Sequence, residues 1–438
     1  MLLTLLVSST VVLAKDIFIS NATELEHALR EVAPGDSLLL SPGHYPLQRT
    51  VSRIGGTQET PITIKAIAPG SVIIDAENEE TFVIYHPYWI FEGLIIEGTD
   101  TTNHAFHLSL DADYVVIRNT TIRNFHNHIK VNGKHDRFPD HILIEKNRLT
   151  NDTVRKTARP ASPIDIIGGT HAVIRGNLIT DFSRSEGDQI SYGLFIKGNS
   201  SFGMIEQNLV VCSAHHSGGY RIGISLGGGG TAPSYCENQD CSIEHRSGVI
   251  RNNIVMNCSD AGIFLKKASG SQILHNTLIQ TSGIDIQLKG SSATIVGNYI
   301  DGDLRARKGA QYRQHNNLIA GKSSTAACSQ SHPLISDLHH KANQIVRWIT
   351  NQLGVPYPSS ALYFQSALAG NLRPFNPQQL TFSATENWVS HDFSGHPRNP
   401  TKHWFGAIDF NASPCDISLR VAASPQDPPI PCIPIDLE

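Results

Sequence analysis

Short runs of alternating apolar and polar residues recur along the middle of the chain. They read "VVIRNTTI", "ILIEKNRL", "AVIRGNLI", "GMIEQNLV", "GVIRNNIV", "QILHNTLI" and "TIVGNYI". A period of two, with many β-branched residues, predicts strands. Asparagines recur with these runs at intervals of 19 to 45 residues: Asn119, Asn147, Asn177, Asn208, Asn253, Asn276, Asn298 and Asn317.

A repeat of this kind indicates a stacked fold in which each unit contacts only its neighbours. The repeats lack the long amphipathic helices of helical solenoids, so the prediction is an all-β, single-stranded parallel β-helix. Successive coils would stack about 4.8 Å apart through parallel ladders. Asparagine suits a corner of each coil, because it tolerates left-handed turns and its amide bonds along the stack.

The two ends of the repeat region carry helical patterns. "NATELEHALREVA" (21–33) predicts a capping helix, with Asn21 and Glu24 as its capping box. "HPLISDLHHKANQIVRWITNQLG" (332–354) has apolar residues at near-helical spacing and predicts a second helix over the last coils. The predicted organisation is therefore a β-helix over 15–325, followed by a C-terminal helix and irregular extension over 326–438.

The first residues, "MLLTLLVSSTVVLA", form an apolar run that ends in small residues. This run predicts a signal peptide over 1–14 and a secreted or periplasmic protein. An initial apolar strand is the alternative, because the usual basic start is missing. The run is short for a membrane span, and no later segment has the pattern of one.

Three N-terminal segments resemble the first coils of right-handed β-helix polysaccharide lyases, within the pectin-lyase-like superfamily. They are "PGDSLLLSPGHY", "GTQETPITIKAIAPGSVIIDA" and "WIFEGLIIEG", and they are most similar to the group of alginate lyases and chondroitinase B. "DFSGHPRNPTKHWFGAIDF" (392–410) resembles a closing segment of secreted β-helix proteins. The resemblance implies a right-handed helix. It leaves the chemistry open, because the superfamily holds lyases, hydrolases, esterases, epimerases and non-enzymes.

The composition indicates which kinds of binding partner and which cellular compartment to expect. A net charge of −4 gives no indication of nucleic-acid binding, although a local basic patch would still suit an acidic polysaccharide. Seven cysteines suit an exported chain. Cys236 with Cys241, and Cys415 with Cys432, are plausible disulfide pairs, and the odd number leaves one cysteine unpaired within a monomer.

A second strand of each coil predicts an outward-facing row. Alignment of the strand ends puts Asn132, Gly168, Lys197, Gly227, Lys266, Lys289 and Arg307 in that row. The register could slip by one residue in "PIDIIGG", because Asp165 would otherwise point into the core. Gly227 belongs to "GGGG", which either floors a ligand cleft between Lys197 and Lys266 or is a flexible exit into the next loop.

The longest predicted loops lie around the coils of Lys197 and Gly227, which favours a site there. Elimination of a uronate needs a base, a cation for the carboxylate and an acid. We assign these roles to Lys197, Arg221 and His245, respectively. The predicted substrate-binding residues are Gly227, Gly228, Lys266, His215, His216, Arg246, Tyr192 and Lys289.

In the lyases that this chain resembles, a lysine ends one strand, an arginine lies one coil later, and calcium binds nearby carboxylates. Lys197 matches the lysine, whereas Gly227 stands near the place of the arginine. The calcium ligands also do not match in spacing. A calcium site would require Asp165, Glu186 and Asp188 to converge in space, and calcium prefers six or more oxygens.

The sequence therefore predicts an exported, lyase-like enzyme that acts on an acidic, uronate-containing polysaccharide. A non-catalytic glycan-binding protein on the same scaffold and a uronate epimerase are the alternatives. The capped ends of the predicted β-helix favour a monomer. The paired aspartates of pectin-cleaving hydrolases are absent, and so is the GxSxG motif.

Overall fold

The structure is a computed structural model that describes residues 14–133, 136–320, 364–366, 371–374, 381–383, 389–399 and 402–408. Within these residues the chain winds into a parallel β-helix with three long sheets. Each coil contributes one strand to each sheet, and each strand pairs in parallel with the equivalent strand of the next coil. The predicted all-β architecture is confirmed.

The described strands divide among the three sheets as follows. The first sheet contains Asp16–Ile19, Ser37–Leu40, Ile62–Ala66, Trp89–Glu92, Val116–Arg118, Leu143–Glu145, Val173–Arg175, Met204–Glu206, Val249–Arg251, Ser271–Leu274, Ser292–Val296 and Gln311–His315. The second contains Gly43–Leu47, Val72–Ala76, Ile95–Glu97, Thr121–Arg123, Arg148–Thr150, Leu178–Thr180, Leu209–Val211, Ile254–Met256, Thr277–Ile279, Tyr299–Ile300 and Leu318–Ile319. The third contains Thr50–Val51, Glu80–Ile84, His104–Ser109, Ile129–Asn132, Ile164–Ile167, Ile190–Lys197, Tyr220–Gly227, Ile263–Lys266, Gly283–Gln287 and Asp303–Arg307.

Columns of identical apolar positions form the core. Ile117, Ile144 and Ile174 pair in register in the first sheet, and all three are fully buried. The alternation in sequence produces these columns, because every second side chain of a strand points inward. Each fully buried isoleucine contributes about 1.5–3 kcal/mol relative to an exposed one.

The predicted asparagine ladder runs from Asn147 to Asn317. In each step a side-chain amide donates to the side-chain oxygen of the next asparagine, as Asn177 does to Asn208 at 2.9 Å. Asn119 is not part of this ladder, because Thr120 occupies the equivalent position and donates its backbone N–H to Asn147. At each corner the residue in the left-handed conformation is the one before the ladder asparagine, as with Lys146 (φ +54°). The expectation that the ladder asparagine itself adopts this conformation is therefore wrong.

One α-helix, Ala22–Glu31, is present in the described part, and it covers the first coil as predicted. Asn21 accepts a hydrogen bond from the backbone N–H of Glu24, and the Asn21 amide donates to the Glu24 carboxylate. Leu25 and Leu29 are buried against the coil. None of the described helices is long and apolar enough to cross a membrane.

Parts of the predicted organisation lie outside the described residues. They are almost all of the predicted signal peptide (1–13), the predicted C-terminal helix (332–354), and the junction of β-helix and extension near 325. The closing segment is described in part: Phe393, Ala407 and Ile408 pack against the second sheet. Two short antiparallel pairs also belong to this region, Phe364–Ser366 with Asn371–Pro374 and Thr381–Ser383 with Lys402–Trp404.

Two disulfides are formed among the described cysteines. Cys236–Cys241 closes the short "ENQD" loop as predicted. Cys212–Cys258 joins two neighbouring coils just after the paired strands Leu209–Val211 and Ile254–Met256, a pairing that the sequence did not indicate. Cys328, Cys415 and Cys432 lie outside the described residues.

Candidate functional site

The outward face of the third sheet carries a row of cations at the ends of its strands. Lys197 follows Ile196, which pairs with Leu226, and Gly227 pairs directly with Lys266. Lys197 and Lys266 are therefore two coils apart with Gly227 between them, as the sequence predicted. At about 4.8 Å per coil, this separation is about 10 Å.

Two positions of the predicted row are corrected. Ile167, not Gly168, is the register partner of Lys197, so the one-residue slip in "PIDIIGG" does occur. Gln287, not Lys289, pairs with Lys266. Lys289 is exposed in the turn after the strand Gly283–Gln287, because this strand ends two residues earlier than the alignment placed it.

Lys197 carries a half-buried amine on this face. Burial lowers the pKa of its ammonium, and the opposing influence of Asp165 and Glu244 does not cancel this effect. Its Nζ lies 4.9 Å from the ring centroid of Phe195. Among the described residues, no carboxylate lies within 4.0 Å of this Nζ. Lys197 therefore combines a depressed pKa with a free lone pair once it is deprotonated, as a general base requires.

The four glycines lie directly against both lysines. A Cβ on Gly228 would meet Lys197 Cδ at 3.1 Å, and one on Gly229 would meet Lys266 Nζ at 2.9 Å. A Cβ on Gly227 would lie 2.1 Å from the Lys266 carbonyl oxygen, at a φ of +70°. The glycines are thus needed for close packing beside the lysines. This packing does not fit a merely flexible exit into the next loop, and the cleft remains a prediction.

An inserted loop, residues 228–244, forms one side of the lysine region. Its disulfide-closed tip contacts the strand end next to Lys197, because the Glu237 N–H donates to the Gly198 carbonyl at 3.0 Å. The Asn199 amide donates back to the Glu237 carbonyl. Lys267 Nζ donates to the Cys241 carbonyl at 2.8 Å, which fixes the other end of the tip.

Asp165 does not form a metal centre with Glu186 and Asp188. Asp165 is buried and bonds Lys130 Nζ at 2.8 Å, whereas Glu186 is exposed and Asp188 pairs with Arg184. No group of three or more His, Cys, Asp or Glu side chains in the described residues is arranged to hold a metal ion. The residues therefore do not fit the calcium site considered from the sequence, and we derive no catalytic step through a metal.

His245, the predicted acid, is completely buried. It lies between Gly203 and Gly248, whose close approach leaves no room for a Cβ, and its Nδ1 is hydrogen-bonded to Ser200 Oγ at 2.7 Å. Burial lowers its pKa to about 3. The imidazole is neutral at physiological pH and has no contact with solvent, so its position suits packing better than proton donation.

Arg221 and Lys197 are not brought together. Arg221 lies six residues before Gly227 on the strand Tyr220–Gly227, which is about 20 Å along an extended chain. Its guanidinium is fully buried and donates to the Gly218 carbonyl at 2.7 Å. Burial lowers its pKa to about 10, although Asp181 opposes this effect.

The other predicted binding residues are scattered. His215 pairs with Asp181 and His216 donates to the Asn151 carbonyl, both at the corner before the third sheet. Arg246 is exposed in a small sheet at the opposite corner. Tyr192 lies on the third sheet 5.6 Å from the Phe195 ring, and burial raises its pKa to about 12. Tyr192 is the one of these four that shares a face with Lys197.

The sequence reasoning missed two groups on the same face. Lys130, bound to Asp165, stands two residues before the strand end in "HIKVNG". His107 bridges Glu80 at 2.7 Å and Asn132 at 2.8 Å through its two ring nitrogens. The alternation that placed Lys197 outward also places the position two residues earlier outward, so the same signal could have found Lys130.

Comparison with known proteins supports the fold. Residues 104–300 match the family described as the right-handed β-helix region. Pectate lyase Pel9A superposes with a TM-score of 0.54 at 15% identity over 91% of this chain and 97% of that chain. A PL6 family polysaccharide lyase from Pseudopedobacter saltans, Pedsa3628, gives 0.39 at 17% identity over 73% and 94%. No curated protein sequence matches the chain.

At these identities the likeness concerns the fold alone. The winding described above, the match to the right-handed β-helix region and the Pel9A superposition together define a right-handed parallel β-helix. The fold predicted from the N-terminal segments is thereby confirmed. Because β-helices with this shape carry several chemistries, the function has to be argued from the lysine face itself.

Proposed function

We propose that this protein cleaves a uronate-containing polysaccharide by β-elimination, with Lys197 as the general base. The observation that carries the proposal is the state of Lys197: a half-buried amine with a lowered pKa, beside bare glycine backbone, on the outward face of a lyase-like β-helix. No carboxylate of the described residues lies within 4.0 Å of its Nζ, which supports the same role, because a directly paired carboxylate would hold the proton on the amine more strongly than the more distant Asp165 and Glu244 do.

The proposed step is a proton abstraction followed by loss of the leaving oxygen. The Lys197 amine takes the proton α to the uronate carboxylate. The C–H electron pair forms the new C=C bond, and the bond to the glycosidic oxygen breaks. Water protonates the leaving oxygen, since buried His245 does not reach solvent. Gly227 and Gly228 let the sugar approach the backbone next to the base.

The test is the ultraviolet absorbance of unsaturated uronates after incubation with alginates, pectates and glycosaminoglycans. We expect one substrate to give product, and Lys197→Met to reduce the rate about 10²–10⁴-fold. Lys146→Met is the matched control, because Lys146 is exposed at a corner between the other two sheets. A Lys197→Met variant with full activity on the correct substrate would disprove the assignment.

Non-catalytic glycan binding is the second candidate. The observation that favours it is the position of Arg221, because this predicted carboxylate-binding cation is buried on the next coil about 20 Å along the strand from the end beside Lys197. This candidate predicts binding of an acidic polysaccharide without unsaturated product. A uronate epimerase would instead change the uronate composition and leave the polymer length unchanged, so chain-length analysis together with uronate composition separates the three.

We also propose that the protein works outside the cytoplasm. Two disulfides are formed among the described residues, and disulfides persist chiefly in oxidising compartments. Acidic polysaccharides are also found there. N-terminal sequencing of protein recovered from culture medium or periplasm should begin at Lys15 if the apolar run 1–14 is a signal peptide. A chain that retains this run in the cytosol would contradict the proposal.

A further inference from the structure

Cations on the outward face of the third sheet occur on alternate coils. Lys197, Lys266 and Arg307 lie at equivalent strand-end positions on alternate coils. Lys130 lies two coils before Lys197, but it stands two residues earlier along its strand than the equivalent position. We call these four residues the alternating row. The register keeps these positions outward, because a slip of one residue along a strand would turn its buried side chains outward.

The intervening coils are neutral or acidic at the same positions. Asp165 occupies the coil between Lys130 and Lys197, and Ser225 with Gly227 occupies the next intervening coil. Asp285 and Gln287 occupy the coil between Lys266 and Arg307. Coils with and without a cation therefore alternate along the face, with a repeat of two coils, about 10 Å.

The two outer cations are ion-paired with carboxylates, Arg307 sharing Asp285 with Arg305, and the two central ones have no such direct partner among the described residues. Lys130 bonds Asp165 at 2.8 Å, and Arg307 Nη2 bonds Asp285 at 2.5 Å. Within the described residues, neither Lys197 nor Lys266 has a carboxylate within 4.0 Å. Two half-buried lysines without a directly paired carboxylate thus stand two coils apart beside the glycine backbone.

We propose that this face recognises an acidic polysaccharide whose anionic groups on one side recur at every second sugar, with Lys266 binding the anion two sugars from the residue at Lys197. An extended pyranose chain advances by about the same distance per sugar as the protein does per coil. A chain lying along the helix axis would then place one sugar over each coil. This inference deepens the proposed function and rests on it for the role of Lys197.

Two kinds of polymer have this chemistry. In one, acidic and neutral sugars alternate. In the other, every sugar is a uronate but successive carboxylates point to opposite sides. The shared feature is an anion facing the protein at every second residue. The coil between the two lysines carries Ser225 and Gly227 at the equivalent positions, so it places no charge under the intervening sugar.

The test compares trisaccharides that carry carboxylates on sugars one and three, on sugars one and two, or on all three. Binding is measured by calorimetry in a Lys197→Arg background, which keeps a cation but cannot act as a base. We expect the one-and-three trisaccharide to bind about ten-fold more tightly than the one-and-two trisaccharide. Adding Lys266→Met should remove that ten-fold advantage.

Lys146→Met in the same background is the matched control and should leave the preference intact. Equal binding of the two partly charged trisaccharides would overturn the inference. A Lys266→Met substitution that weakens the binding of both trisaccharides by the same factor would overturn it as well. The all-uronate arm separates the polymer sources, because tight binding there identifies a homopolymer as a ligand and weak binding an alternating one. Product formation is not measured in this background, so failure of the elimination chemistry is seen separately, in the wild-type assay.

Discussion

At the scale of single residues, the informative feature is an amine without a counter-ion. Lys197 is held on a rigid strand end between Phe195 and the glycines, so burial rather than a nearby charge dominates its pKa. Its neighbour in the row, Lys130, has the same residue type but is bound to Asp165. Identical side chains therefore have different chemistry because of one carboxylate.

The first prediction concerns the pH dependence of this amine. A lysine base is active when it is neutral, so the rate should rise with pH through the lowered pKa of Lys197 and then level off. The rise should begin below the ordinary lysine value of 10.5. A kcat/KM profile measures it. Lys197→Arg should abolish the rise, because a guanidinium stays protonated. An unchanged profile in that variant would assign the titration to another group.

At the scale of elements, the inserted loop 228–244 is the part that excludes water from Lys197. Its tip is held by the disulfide Cys236–Cys241 and by hydrogen bonds to Gly198 and Asn199. The loop also delivers Glu244, which is fully buried and accepts a hydrogen bond from Thr231 at 2.7 Å. The sheet positions the lysine, and the loop determines its exposure.

The second prediction is therefore that Cys236→Ser with Cys241→Ser shifts the pH–rate profile to higher pH. Loss of the closed tip hydrates Lys197 and moves its pKa back towards the ordinary value. The matched control is Cys212→Ala with Cys258→Ala, which removes a disulfide between coils. That control should lower stability by about 2–4 kcal/mol and leave the profile in place. A shift in both double variants would indicate general loosening instead.

The third prediction concerns the asparagine ladder. Asn208 donates to the Ile174 and Glu206 carbonyls and accepts the Asn177 backbone N–H. Asn208→Ala leaves these buried groups without partners, and we expect a loss of about 1–3 kcal/mol or more in the free energy of unfolding. Denaturant titration measures it. Gln272→Ala, at an exposed strand position, should change stability by less than about 0.5 kcal/mol. Equal losses would show that the ladder adds nothing beyond strand content.

At the scale of the whole molecule, three buried histidines and the half-buried His104 make stability depend on pH. Burial lowers the pKa of His104 and His126 to about 4, and that of His128 and His245 to about 3, from an ordinary 6.5. The unfolded chain therefore binds more protons than the folded one between pH 6.5 and about 3. Stability should be highest above pH 6.5 and fall as the pH drops through this window.

The fourth prediction follows for a single site. His245→Gln should flatten the slope of unfolding free energy against pH by up to about 1.4 kcal/mol per pH unit within the window, whatever its effect on absolute stability. Chemical denaturation at several pH values measures the slope. His27→Gln on the capping helix is the control, because His27 is largely exposed, and its slope should match the wild type. If the curve of unfolding free energy against pH for His245→Gln runs parallel to that of the wild type, His245 is not a source of the acid sensitivity.

The alternation of apolar and polar residues within single strands predicts the fold correctly, because it depends only on local strand geometry. Each coil repeats the same inward positions, so the columns Ile117–Ile144–Ile174 and the row Lys197–Gly227–Lys266 follow once strands are assumed to stack. The errors occurred where local spacing changes. Asn119, Gly168 and Lys289 were each displaced by one or two residues, because a turn of slightly different length precedes or follows the strand.

Sequence by itself determined the stacked strands, the capping helix, the Cys236–Cys241 loop and the place of Lys197, since all of these depend on neighbouring residues or on a strict period. Only the tertiary structure decided which side chains share a surface. It paired Lys130 with Asp165, buried Arg221 and His245 away from Lys197, and separated Asp165 from Glu186 and Asp188. These contacts join residues that are tens of positions apart. Such contacts depend on how far each loop carries the chain before it returns to the sheet, a length that no local pattern encodes.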